Sequence, residues 1–529
     1  MGMNVNPGNE GFELIAGPKY VDKTMLIDLI NERIGTDKCL VCVSRPRRFG
    51  KSYAAKMLAA YYDCTCDSHN LFDDKKIARC ASYEKHLNKY NVINLDITGF
   101  ISKAKREKRP LSDVPLNIIN TIQKELRALN PDLQADQPLE DCLSACVNMD
   151  GGKKFVFIID EWDAMIREAK DDTDAQEAYL NLLRSWFKDS TFTPKVVATA
   201  YMTGILPIKK DGSQSAISDF DEYPILEPDK FAEFTGFLEE EVRAKCQESG
   251  LDYQEIKEWY DGYDFPEIGA IYNPYSVMKA IEKKKCKSYW KKTTAAESLK
   301  TYINMNFDDL QEKIAYLIAG EEMPVEVDEF QNDFETFSKA DDVLTLLIHL
   351  GYLTYDEEKK TVRIPNNEVR GEFKLLLSSK NEGEEWMKLI MRSKKLFEAT
   401  LDEDEDTVAK IIEEIRNEHY APQFYNNEQA LRAIIKYAYI CTEGNFLKIE
   451  EMPSGKGIAD VVYIPLPMSR YPGLLIELKC NKSSGGAIAQ IKAKKYESVL
   501  KPLKGNLILV GINYDEKTGK HTCTIERDN

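Results

Sequence analysis

The chain has 529 residues, about three and a half times the ~150 residues usual for one domain, so several compact units are expected. Hydrophobic residues make up 43% and charged residues 30%, which excludes disordered, collagen-like and coiled-coil classes. Lys and Arg number 71 against 88 Asp and Glu, a net charge of −17, so any nucleic-acid surface has to be a local patch.

No run approaches the ~20 apolar residues that span a bilayer, and Phe155 to Ile159 is strand-sized, so no membrane association is expected. The start, Met-Gly-Met-Asn-Val-Asn-Pro-Gly, lacks the charged-then-apolar pattern of a secretory signal, which points to the cytoplasm. Twelve cysteines without regular spacing read as buried thiols in a reducing compartment. Cys64, Cys66, His69 and Cys80 can be drawn as a zinc site, but paired C-x-x-C spacing is missing and the buried-thiol reading outweighs it.

Up to residue ~225, β-branched runs at Leu40 to Val43, Val92 to Leu95, Phe155 to Ile159 and Lys195 to Met202 alternate with helical patterns. That alternation predicts an α/β fold with a parallel sheet covered by helices. Residues 226–290 have helical spacing and read as a helical lid ending in Tyr-Asn-Pro-Tyr-Ser at 272–276. Within 291–380, Leu344 to Tyr355, a polar turn and Thr361 to Pro365 give helix, strand, turn and strand, a winged-helix-like unit. Residues 381–529 hold a charged helical connector that includes Leu401 to Asp406, and then mixed α/β elements. These are a helix at Glu428 to Ile440, strands at Phe446 to Glu451, Ala459 to Ile464, Leu474 to Leu478 and Asn506 to Ile512, and a helix at Ala487 to Leu500.

Chemistry concentrates in two places. The first is Ser44-Arg-Pro-Arg-Arg-Phe-Gly-Lys-Ser52, between the strand at 40–43 and the helix starting at Tyr53. There the backbone of Arg48, Phe49, Gly50, Lys51, Ser52 and Tyr53 can cradle phosphate, Lys51 can reach terminal phosphates and Ser52 can ligate Mg²⁺. Arg45 stands where G-x-x-x-x-G-K-S has its first glycine, and a basic surface loop is the plainer alternative. Arg47 and Arg48 serve phosphate or cap the loop; both readings stand. About 100 residues later the apolar strand Phe155 to Ile159 ends in Asp160 and Glu161, which suit Mg²⁺ binding and water activation respectively. A third strand ends at Thr203-Gly204, where the hydroxyl can sense a γ-phosphate. The conjunction favours ATP or GTP.

These segments, with Tyr20-Val-Asp-Lys-Thr24, Trp259-Tyr-Asp-Gly-Tyr263, Tyr272-Asn-Pro274 and Leu350-Gly-Tyr-Leu-Thr354, resemble the bacterial AAA-ATPase-like family. That family is similar to AAA+ and STAND-type P-loop ATPases, and its members often carry a C-terminal PD-(D/E)XK nuclease-like domain. The resemblance implies an ATP site at Lys51, Ser52, Asp160 and Glu161, with Arg45 as the family has it. It leaves open an arginine supplied by a neighbouring subunit, so a homo-oligomer remains an option.

The second place lies in the last ~110 residues. Asp460 opens one strand, and Glu477 and Lys479, two apart, share a face of the next. If those strands pair, Asp460 and Glu477 converge with the Leu478 carbonyl on Mg²⁺, and Lys479 activates water against a phosphodiester. Gln490 lies on the helix that follows, and Glu428 could enter the same metal site from an upstream helix. Glu-x-Lys alone is weak, since charges alternate on many solvated strands. The constellation resembles the PD-(D/E)XK fold over roughly residues 420–515. From Lys479 to Lys504 there are seven lysines against Glu497, a net +6 that suits a phosphate backbone, a solvated helix face being the alternative. The expected function is an ATP-hydrolysing P-loop protein coupled to a Mg²⁺-dependent nuclease. The alternative is an ATP-switched nucleic-acid-binding or signalling protein with an inactive nuclease-like domain.

Overall fold

The computed structural model describes the chain apart from residues 1, 135, 150, 171, 209–216, 266–267, 291–309, 319–321, 329, 331–336, 378–383, 420–430, 433, 436–437, 440–441, 443–445, 455–456, 466–470, 495–505 and 529. Its packing separates two units: residues 1–291 with 324–368, and residues 292–323 with 369–529. The segments read as ATPase-like and lid thus fall in the first unit, whereas the segment read as winged-helix-like, 291–380, is divided between the two.

The first unit is built on a five-stranded parallel sheet of β1 (Leu40–Ser44), β2 (Asn91–Asp96), β3 (Phe155–Asp160), β4 (Val197–Gly204) and β5 (Asp221–Tyr223), ordered β2-β3-β4-β1-β5. Its inner strands are buried almost throughout and mostly apolar, because both faces are covered. Leu40, Cys42, Phe155, Phe157 and Ile159 point into one helical layer; Val41, Val43, Val156 and Ile158 point into the other. Each fully buried aliphatic side chain contributes about 1.5–3 kcal/mol. Helix α1 (Lys51–Tyr62) follows β1 directly, and the chain then crosses to the far edge before returning through β3 and β4. This path gathers the carboxyl ends of β1, β4 and β3 side by side, the usual ligand position in open α/β sheets.

The lid is not wholly helical, as its spacing suggested. Helices α2 (Glu239–Ser249), α3 (Tyr253–Tyr260) and α4 (Pro274–Lys283) pack with a small sheet of β6 (Phe237–Leu238), β7 (Tyr263–Phe265) and β8 (Gly269–Tyr272). These strands are only two to four residues long, too short for period-two patterning to stand out. The helix, strand, turn and strand read at 344–365, the wing segment, are observed as α5 (Ala340–Leu350) followed by the antiparallel pair β9 (Thr354–Asp356) and β10 (Thr361–Arg363).

The second unit contains a five-stranded mixed sheet: β11 (Phe446–Ser454), β12 (Gly457–Pro465), β13 (Gly473–Cys480), β14 (Leu507–Asp515) and β15 (Lys520–Asp528), in that order. Only β13 and β14 run parallel, joined through α6 (Ser484–Lys494); the other neighbours are antiparallel. Strand β15 is hard to see in the sequence because, of its buried alternate positions His521, Cys523 and Ile525, only the last is strongly apolar. The helix expected over 428–440 falls mostly outside the described residues, as do residues 495–500 of the last helix. Among the described residues no helix is long and apolar enough to cross a membrane.

Candidate nucleotide site and a second acidic cluster

Gly50 caps α1 with φ +90°, a left-handed turn that glycine adopts without strain and that presents the first N–H groups of the helix to the loop. Lys51 is buried, and its ammonium donates to the carbonyls of Arg45 (2.9 Å) and Pro46 (3.0 Å). It also lies 3.5 Å from a carboxylate oxygen of Glu161. Ser52 and Tyr53 are exposed at the start of the helix. The Thr203 hydroxyl donates to Asp160 at 2.9 Å, and the Ser52 side chain is near enough to favour the ionised Asp160. Lys51, Ser52, Asp160, Glu161 and Thr203 therefore meet at three adjacent strand ends.

Electrostatics divides the two acids. Burial pushes the Asp160 carboxyl up, with Glu161 adding to it, against the neighbouring Ser52 and Thr203 hydroxyls and the charge of Lys51. Burial would also raise Glu161, but Lys51, Arg167 and Arg47 outweigh it and hold Glu161 below its ordinary value. A hydroxyl and a carboxylate side by side are hard oxygen donors that suit Mg²⁺ with phosphate as co-ligand.

Arg45 points away from the loop mouth. Its guanidinium is fully buried and donates to the carbonyls of Ser44 (2.8 Å) and Tyr223 (2.7 Å), tying β1 to β5; burial lowers it to about 10. Arg48, at φ +70°, turns to the lid: it donates to the Tyr289 carbonyl (2.7 Å) and sits 4.5 Å over the Tyr275 ring. Phe49 is buried edge-on against Tyr263 at 5.1 Å, and its carbonyl accepts the Gly236 N–H at 2.9 Å. The Tyr263 hydroxyl donates to the Gly351 carbonyl at 2.6 Å. Gly351 has φ +83°, and a Cβ there would lie 2.6 Å from Pro46. Lid and wing thus clasp the segment Pro46 to Phe49, which explains the aromatic-glycine motifs that sequence reading singled out without a role.

Two residues at this site escaped the sequence reading. Asp163, fully buried, accepts the backbone N–H groups of Ile205 (3.1 Å) and Leu206 (2.9 Å) and the Nε–H of Arg167 (2.9 Å). Arg167 in turn pairs with Glu161. The i, i+4 spacing of Asp163 and Arg167 just after the acidic strand end was the available signal.

In the second unit the register pairs Val461 with Ile476, and one further step sets Asp460 opposite Glu477 on the face that α6 covers. Asp460 accepts the Leu478 N–H (2.9 Å), so it meets that residue's amide rather than its carbonyl, and it pairs with Arg432 (2.8 Å). Lys479 donates to Glu477 at 3.0 Å, and the Gln490 amide donates to the same carboxylate. Glu477 and Lys479 are 1% and 7% exposed in an otherwise apolar strand, where an unpaired charge would be costly. Glu428 lies outside the described residues. Among the described residues, no group of three or more His, Cys, Asp or Glu side chains is placed to hold a metal. The carboxylate pair supplies hard oxygen donors, each already bonded to a cation.

The lysine run is not a uniform patch. Lys479 belongs to the buried cluster, Lys492 pairs with Glu526, and residues 495, 501 and 504 are outside the described set. The cysteine cluster does not gather either: Cys64 donates to Asn91, Cys66 to the Asp63 carbonyl, Cys80 to Met25, while His69 pairs with Asp67.

Residues 11–213 match the model of a family described as "Predicted AAA-ATPase". A protein of Azotobacter chroococcum mcd 1, "Uncharacterized protein in vnfD 5'region", is 23% identical over 518 residues, covering 94% of this chain and 92% of that protein. The Aeropyrum pernix ORC2 protein, solved in ADPNP-ADP complexes, overlaps 68% of this chain and 96% of its own at 11% identity. The TM-score of that superposition is 0.32.

Proposed function

We propose that the first unit binds ATP with Mg²⁺ and hydrolyses it. The observation that carries this reading is the convergence of Lys51, Ser52, Asp160, Glu161 and Thr203 at the ends of β1, β3 and β4; the match of residues 11–213 to the AAA-ATPase model supports it. Backbone N–H groups at the start of α1 and the Lys51 ammonium take the phosphates. Ser52 and Asp160 would hold Mg²⁺, which supplies charge neutralisation for phosphoryl transfer. Glu161, held ionised, accepts the proton of the attacking water, and Thr203 reads the terminal phosphate. Phosphate release from purified protein with Mg-ATP, and its loss together with nucleotide binding in Lys51→Ala, tests the assignment; unchanged affinity in that variant overturns it.

For the second unit the proposal is metal-dependent hydrolysis of nucleic-acid phosphodiester bonds. Support comes from the shared face of Asp460, Glu477, Lys479 and Gln490 and from the cost of keeping Glu477 and Lys479 buried in an apolar strand. Asp460 and Glu477 would hold Mg²⁺, and Lys479 would orient water. The competing reading, a nucleic-acid grip without cleavage, is favoured by the cation already on each acid. Labelled single- and double-stranded DNA and RNA, incubated with and without ATP and divalent metal, separate the two. Cleavage lost in Lys479→Ala while ATP turnover persists supports the nuclease; cleavage surviving that change removes it.

A further inference from the structure

We propose that Arg167 is a positioning residue for Glu161, fixing one carboxylate oxygen so that the other faces the phosphate cradle. This rests on the ATPase reading above. Glu161 divides its two oxygens: Oε2 pairs with Nη2 of Arg167, and Oε1 faces the Lys51 ammonium at 3.5 Å. Arg167 is itself immobilised. Its side chain is 11% exposed, and its Nε–H donates at 2.9 Å to Asp163, which is 0% exposed. Asp163 is held by the N–H groups of Ile205 and Leu206, the residues directly after Thr203-Gly204.

The brace therefore runs from the end of β4 through Asp163 and Arg167 to the end of β3. Trp162 and Asp163 fill the space beside Gly204, where a Cβ would lie 2.6 Å from the Trp162 ring and 2.9 Å from Asp163, so these two strand ends are locked closely together. When a triphosphate draws Lys51 away, Glu161 loses one cation and keeps the other. Its free oxygen then points where Lys51 stood, beside the terminal phosphate. Without Arg167 the carboxylate would rotate about its own side-chain torsions, and a small misalignment of a reacting group is costly in rate. Substrate affinity, which depends on Lys51 and the α1 amides, would not change with it.

The test is steady-state ATP turnover of the full chain in unmodified, Arg167→Ala, Arg167→Lys, Glu161→Gln and doubly substituted forms. Arg167→Ala is expected to lower kcat roughly ten- to hundredfold with KM nearly unchanged, and Arg167→Lys to recover part of the loss. In a Glu161→Gln background, single-turnover rates should show no further loss on adding Arg167→Ala, since the two residues act as one unit. Should Arg167→Ala fail to fold, Arg167→Gln, which retains a donor for Asp163, is expected to show the same split. An unchanged kcat, a parallel rise in KM, or full additivity with Glu161→Gln overturns the role of Arg167 while leaving the ATPase assignment intact. Absence of turnover in the unmodified protein defeats the ATPase reading and this inference together.

Discussion

The Lys51 ammonium and the Glu161 carboxylate lie 3.5 Å apart at the mouth of the phosphate loop, and two loop carbonyls complete the lysine's partners. If the loop takes phosphate as proposed, acid and phosphate compete for one cation.

Removing that competitor has a signed consequence. Glu161→Gln should tighten ATP binding by about 1 kcal/mol, roughly fivefold, while sharply lowering turnover. Isothermal titration against Mg-ATP measures the first effect and phosphate release the second. Weaker binding in the variant would show that the ion pair does not oppose the nucleotide.

Gly351 sits where the wing meets the loop. Gly351→Ala places a side chain on a left-handed backbone and against Pro46, and should cost at least about 2 kcal/mol in the first unit. Denaturant melts followed by tryptophan fluorescence would register it, and ATP affinity should fall alongside because Pro46 supplies a carbonyl to Lys51.

His349 is buried beneath the wing, stacked 5.3 Å from Phe330, and burial lowers it to about 3. The unfolded chain protonates this imidazole near pH ~6.5 while the folded chain does not, so the neutral folded form loses stability as pH falls from ~6.5 toward 3. The expected slope is about 1.4 kcal/mol per pH unit. His349→Phe should remove that component, which comparison of the two proteins' melting between pH 7 and pH 4.5 checks.

In the second unit, Glu477 and Lys479 should behave as one element of stability. Lys479→Met alone leaves a buried carboxylate and should cost about 3–5 kcal/mol, whereas Lys479→Met with Glu477→Gln should recover much of that loss. A double-mutant cycle by chemical denaturation reads the coupling; additive losses would mean the pair is solvated.

Much of this architecture was legible in the chain. The parallel strands at 40–44, 155–160 and 197–204 announce themselves because strands buried on both faces read as largely apolar runs, while the edge strand at 91–96 carries Asn94 and Asp96 and shows the pattern only at 92–95. Their polar punctuation, Gly-Lys-Ser at one end and Asp-Glu at another, gave the candidate phosphate site. The lid strands were hidden by their shortness, β15 by weak alternation, and Arg167 because nothing in a helix pattern says which acid a cation will meet.

The one-dimensional pattern determined which residues are apolar, where strands stop and which side chains stand at their ends, since those follow from local period and backbone chemistry. Only the fold decided that β4 lies between β1 and β3, that Arg45 turns inward and Arg48 to the lid, and that Asp163 and Arg167 brace Glu161. Such pairings join residues far apart in the chain, and the energy that selects them comes from burying surfaces and satisfying charges together, which no local stretch contains.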